Sequence, residues 1–95
     1  MNAVNVETTS TGDPTVVKVT VGTRSDASIH DVTASRADLD RLSRPGEPVE
    51  QFVGRCFEFL LAREPKEAIL ARFDIADISR YWPEFEEELT SEAGR

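Results

Sequence analysis

Cysteine and histidine are nearly missing from this chain, whose 95 residues hold one of each, Cys56 and His30. A single cysteine excludes an internal disulfide framework and any cysteine-rich zinc site. A single histidine leaves metal binding and acid–base catalysis without the several ligands or partner groups that they need. His30 is therefore read as structural or solvent-exposed, with a pH switch as its one functional alternative. No apolar run approaches the roughly 20 residues that span a bilayer, and no basic and apolar leader opens the chain. A cytoplasmic protein of a reducing compartment, with no membrane partner, is expected. Also missing are a phosphate-cradling glycine-rich loop, a nucleophile elbow, a Cys/His pair and the D-x-[DN]-x-[DN]-G spacing of a calcium loop. No catalytic residue, cofactor or metal ligand is assigned.

Positive charge is in short supply too. Eleven Lys and Arg face eighteen Asp and Glu, for a net charge of −7, and residues 47–95 hold six of the basic and twelve of the acidic groups. Such an excess repels phosphate backbones and anionic lipid, because non-specific nucleic-acid binding rests on cationic side chains that release counterions. Partners are expected to be another, basic or neutral protein or a second copy of this chain in a homodimer, with nucleic acid disfavoured. A chain of this length makes one small domain with little room for a deep cleft.

What is present is concentrated. The first 51 residues contain no aromatic side chain, and all seven lie between Phe52 and Phe85. Val49, Phe52, Val53, Cys56, Phe57 and Leu60 recur at the spacing of one helical face, and Phe59 and Leu61 widen it. A helix over Pro48 to Ala62 is predicted at the centre of the fold, with Cys56 buried and Gly54 marking a close approach by another backbone. Upstream, Thr15 to Val21 alternates β-branched residues, with Val17, Val19 and Val21 on one face. After turn residues 22–27, Ser28 to Thr33 reads as a second strand, so a hairpin with at least one open edge is expected. Residues 1–14 are rich in small polar residues and are read as a disordered lead-in, with the alternation Val4, Val6, Thr8 making a short strand only if it meets a partner; residues 15–89 are read as the domain, and 90–95 as a frayed acidic tail. Ser35 with Asp38, and Asp74 with Asp77, have the spacing of helix-capping residues. Pro65 is read as opening a helix that carries Ile69, Leu70 and Phe73, and Pro83 as breaking the next helix. The fold class is α+β: an N-terminal two-stranded hairpin packed on a bundle of three to five helices.

Arg63, Lys66, Arg72 and Arg80 punctuate the helical region and are candidates for one partner-binding surface. Residues 66–82 also resemble a helix-turn-helix, the basis of an alternative in which the chain is a nucleic-acid-associated regulator. Twelve acidic groups in the same half count against it. Tyr81 and Trp82 beside Pro83 fit either an exposed aromatic anchor for a partner or a cap on the core. The core placement is expected, with both kept as candidate partner contacts. Glu58, Glu64, Glu67, Asp74 and Asp77 are the carboxylates available for acid–base work, but capping accounts for the two aspartates. A solvated helix start accounts for Glu84, Glu86, Glu87 and Glu88.

Phe59 to Leu61, Arg63 to Glu67, Ile69 and Leu70, Phe73 and Asp74, and Ile78 to Glu84 together resemble a block found in a family of small bacterial proteins of unassigned activity. The block covers about a third of the chain. The resemblance implies a hairpin ahead of the block and a bacterial, cytoplasmic setting, and it transfers no activity. The functional expectation is a non-catalytic, acidic interaction or regulatory module.

Overall fold

The computed structural model describes residues 3–93, including every side chain in that range except those of residues 24 and 91–93. The chain is α+β, with one four-stranded sheet in the order β1-β2-β3-β4. The strands are β1 (Val4–Ser10), β2 (Thr15–Val21), β3 (Ser28–Ala34) and β4 (Arg72–Asp74). The helices are α1 (Arg36–Leu42), α2 (Val49–Leu61), α3 (Ile75–Tyr81) and α4 (Phe85–Ala93). β1, β2 and β3 are antiparallel neighbours, and β4 joins β3 in parallel after the chain has passed through α1 and α2.

The period-two pattern of β2 does what it predicts: Val17, Val19 and Val21 are fully buried, with Val32 and Ala34 of β3 beside them. α2 lies on this face and across β1. Its Phe52, Val53, Cys56 and Phe57 are fully buried and meet the valines. Phe59 and Leu60, on its far side, meet α3 and α4, where the Phe59 ring stands edge-on to Phe85 with centroids 5.1 Å apart. The outer face of the sheet is mostly polar, apart from Val16 and Ile29, and carries one row of alternating charge, in which Glu7 lies opposite Lys18, Lys18 opposite Asp31, and Asp31 opposite Arg72. Opposite charges on neighbouring strands favour this register over a slipped one.

Four expectations need correction. The sheet has four strands, not a two-stranded hairpin. The lead-in is not disordered over residues 4–10: these form β1, because Val4 and Val6 reach the core under α2 while β2 supplies the backbone hydrogen bonds. Pro65 opens only a single 3-10 turn, Lys66–Ala68, after which the chain is extended and becomes β4. The reason is the second edge of β3, whose donors need partners. Asp31 N donates to the Ala71 carbonyl at 2.7 Å, and Thr33 Oγ1 donates to Asp74 Oδ1 at 2.6 Å. The expected frayed tail is helical as far as Ala93, with Leu89 buried, and residues 94 and 95 lie outside the described residues.

The capping signals hold. Ser35 Oγ accepts from Asp38 N at 3.1 Å. Asp74 and Asp77 form a reciprocal capping box on α3. Pro83 separates α3 from α4 as expected. Gly54 does not: a Cβ built on it meets nothing within 4 Å. Its cost is therefore uncompensated, and Gly54→Ala should raise stability by about 1 kcal/mol in urea denaturation, the helix-propensity difference between the two residues.

One ion pair is built into the helical layer. Arg55 Nε and Nη2 donate to the two carboxylate oxygens of Glu47 at 2.8 and 2.7 Å, a bidentate pair whose side chains are 10% and 2% exposed. The Arg55 guanidinium holds the Glu47 carboxyl below its ordinary range, against the opposing effect of burial. Because the folded value is the lower one, the pair contributes fully above the ordinary glutamate value of about 4.3 and is lost as pH falls through the folded value. Arg55→Met should cost about 3–5 kcal/mol at neutral pH, since it strands a buried carboxylate. Glu47→Gln should flatten the acid limb of a stability-versus-pH curve measured by urea denaturation.

Candidate functional site

The four candidate cations do not form one surface. The Arg63 guanidinium lies 3.6 Å from the centroid of the Phe59 ring and is paired with Glu84 and Glu88 of the α4 region. Lys66 is buried, and its Nζ donates to the Asp26 carbonyl and carboxylate, tying the 3-10 turn at 66–68 to the turn between β2 and β3. Arg72 sits on the outer sheet face 3.8 Å from Asp31, and Arg80 lies 3.9 Å from Asp77 one turn away on α3. Nor does a helix-turn-helix form over residues 66–82, where a single helix, α3, follows a strand.

Tyr81 and Trp82 part company. Trp82 is half-buried and packs on the core, whereas Tyr81 is 69% exposed. The expectation that both rings turn inward is overturned for Tyr81. α3 ends at this residue, and Trp82, in non-helical backbone, takes the place against the core.

Around these two residues the surface is hollow. The cavity measures about 380 Å³, and its apolar lining includes Leu60 of α2, Phe73 of β4 and Ile78 of α3. Leu70 and Tyr81 also line it, and they are two of the three large apolar side chains that are exposed among the described residues, at 55% and 69%. Two carboxylates complete the lining, Glu64 and Asp77. Asp77 is engaged: its Oδ2 accepts from Asp74 N at 3.1 Å as part of the capping box. The half-buried Glu64 carboxylate has no hydrogen-bond or ion-pair partner among the described residues. A carboxylate thus stands beside an apolar concavity with no partner among the described residues.

His30 holds one wall of this hollow. Its Nδ1 lies 2.7 Å from the Leu70 carbonyl, which can only accept, so Nδ1 carries the proton and donates. Nε2 lies 2.9 Å from Ser28 Oγ, and the ring sits 5.4 Å from that of Phe57. With both nitrogens engaged and the residue buried, His30 is a strut between β3 and the 69–71 segment. Sequence reasoning placed His30 on this strand and left it structural or solvent-exposed; the bond to the Leu70 carbonyl lay beyond local pattern.

Leu70 and Glu64 were not singled out as a pair by sequence. The signal available was the adjacency of Ile69 and Leu70: in extended chain neighbouring side chains point to opposite sides, so one of two apolar neighbours must face outward. Ile69 is buried and Leu70 is exposed.

Among the described residues no group of three or more His, Cys, Asp and Glu is placed to hold a metal ion. A second hollow of about 410 Å³ is polar and lined by both signs of charge, Arg36 and Arg44 with Asp40 and Glu47. Cys56 is fully buried, and desolvation pushes its thiol far above the ordinary range, which removes the thiolate that any nucleophilic use would need. The native protein should react with Ellman's reagent only at the rate of global unfolding, and stoichiometrically in denaturant; a fast native reaction would mean that α2 opens locally. No family model, curated protein or solved structure matches this chain. Its own geometry is therefore what bears on function.

Proposed function

We propose that this chain is a non-catalytic protein-interaction module. Its hollow between α2, the 69–73 segment and α3 receives an apolar side chain of a partner, and the partner carries a Lys or Arg next to that anchor. The observation that carries this reading is the meeting, at one cavity, of two exposed large apolar side chains with an unpartnered carboxylate, Glu64. Exposed apolar groups clustered at a concavity have a reason to be covered, whereas scattered ones do not.

Size and charge narrow the occupant. A cavity of about 380 Å³ lies at the lower end of the roughly 300–1,000 Å³ range of small-molecule sites and has space for one or two side chains, not for a folded element. Glu64 and the net charge of −7 select a cationic neighbour and give encounter with a basic partner an electrostatic advantage. Tyr81 supplies a broad amphipathic surface with few torsions to freeze, which is why such residues recur at the centres of interfaces.

The only tryptophan, Trp82, borders the cavity and so reports on it. Titration with an acetylated and amidated Lys-Lys-Leu-Lys-Lys peptide should change Trp82 emission saturably. Tyr81→Ala or Glu64→Gln should weaken the apparent affinity by about tenfold each, the equivalent of roughly 1.4 kcal/mol. Emission that stays flat up to millimolar peptide, or a response that both variants leave intact, rules out this hollow as the binding site.

A further inference from the structure

A second surface lies at the other side of the sheet, and its availability can be read from hydrogen-bond phase. In an antiparallel pair, directly opposed residues alternate between those that exchange backbone hydrogen bonds and those that do not. Gly22 N donates to the Ala3 carbonyl at 2.8 Å, so that pair is of the bonded kind. Counting along the register, Asn5 bonds Thr20 and Glu7 bonds Lys18, whereas Val4, Val6 and Thr8 are opposed to Val21, Val19 and Val17 without bonds. The same phase carried through β2 and β3 turns the Asp31 N–H toward β4, where it is found bonded to the Ala71 carbonyl. The N–H and C=O groups of Val4, Val6 and Thr8 therefore point away from β2. No other described backbone or side chain bonds them. Unlike the three-residue β4 at the opposite edge, β1 offers a seven-residue strand.

Charge at this edge has one sign on both faces. On the outer face Glu7 ends the row Glu7, Lys18, Asp31, Arg72, so a residue set opposite Glu7 continues the alternation only if it is a cation. On the inner face α2 lies across β1, and Glu50 accepts a hydrogen bond from Thr8. That bond holds the Glu50 carboxyl below its ordinary range and so keeps it charged. Gly54 and Glu58 continue the same stripe of α2 at steps of four residues, with open space over Gly54. Glu7 and Glu58 are exposed and have no ion-pair partner among the described residues.

We infer that the β1 edge is a strand-addition site for an extended, Lys- or Arg-bearing segment of a partner protein, distinct from the hollow at Tyr81. Main-chain hydrogen bonds to Val4, Val6 and Thr8 supply the pairing, and the acidic groups on the two faces select the sequence. A second copy of this chain suits the edge poorly. Pairing of β1 with itself about a two-fold axis at Val6 brings the Glu50 to Glu58 stripe of one α2 toward the same stripe of its mate, between chains of net charge −7.

The test uses the full chain and a seven-residue peptide of alternating Lys and Val, acetylated and amidated. In 15N spectra the peptide should shift the amides of Val4, Val6 and Thr8 and slow their hydrogen exchange, while those of Asn5 and Glu7 are protected from the outset. Val6→Pro removes an outward N–H without touching a bond to β2 and should weaken binding at least about tenfold. The double reversal Glu7→Lys with Glu58→Lys should do the same, and a Glu-Val version of the peptide should not bind. If Val6→Pro does not fold, the wild-type amide pattern and the double reversal decide. The inference is overturned if millimolar peptide leaves the β1 amides unmoved, if the shifts fall only around Glu64 and Tyr81, or if Val6→Pro binds as wild type does. A wild-type dimer in sedimentation that Val6→Pro dissolves would also overturn it, by showing that the edge takes a second copy.

Discussion

The burial of α2 is the constraint from which the remaining architecture follows. Six of its thirteen residues are buried, spread over two sides of the helix, so one covering layer is not enough. The valine face of the sheet covers one side, and α3 and α4 cover the other. Neither cover is stable alone. Short strands cannot hold a sheet in water without an apolar partner, and helices of seven and nine residues are too short to persist unaided. Each is ordered by what it buries against Phe52, Phe57, Phe59 and Leu60.

Satisfaction of backbone polar groups then decides the details. β3 would be a bare edge with a hairpin alone, and the segment after the Lys66 turn becomes β4 to pair with it. That choice draws Ile69 inward and Leu70 outward, and together with the His30 bond to the Leu70 carbonyl it sets one wall of the cavity at Tyr81. At the other margin β1 has no such neighbour among the described residues. The two proposed contact surfaces are thus two outcomes of one rule: at one edge a local segment met the need for pairing and left a hollow beside it, and at the other the need stands open.

The distribution of charge fits this division. Several cations are consumed internally or by near neighbours: Arg55 by Glu47, Arg63 by the glutamates around α4, Lys66 by Asp26, Arg41 by Asp38 and Glu86. The acidic excess is left at the surface. Glu64 at the hollow, and Glu7 and Glu58 at the sheet edge, are members of that excess with no ion-pair partner among the described residues. This is the arrangement that a basic partner protein would complement.

Much of the fold could be read from periodicity, because burial imposes it directly: the valine face of β2, the apolar face of α2, the caps at Ser35 and Asp74, the break at Pro83. Those features depend on neighbours within a few residues. β1 and β4 were less readable: the alternation of Val4 and Val6 becomes a strand only where β2 and α2 receive it, and Phe73 is a strand residue only by virtue of Val32, far back along the chain. The site was less legible still. Arg63, Lys66, Arg72 and Arg80 are regularly spaced in sequence, but the turn to extended chain at Ile69 and the capture of each by a separate carboxylate scatter them. Local pattern alone settled the valine face of β2, the apolar face of α2 and the acidic excess, because hydropathy and charge are properties of the residues themselves. Only the tertiary structure decided where an uncovered concavity and an unpaired strand edge remain, because both are defined by what long-range pairing did not supply.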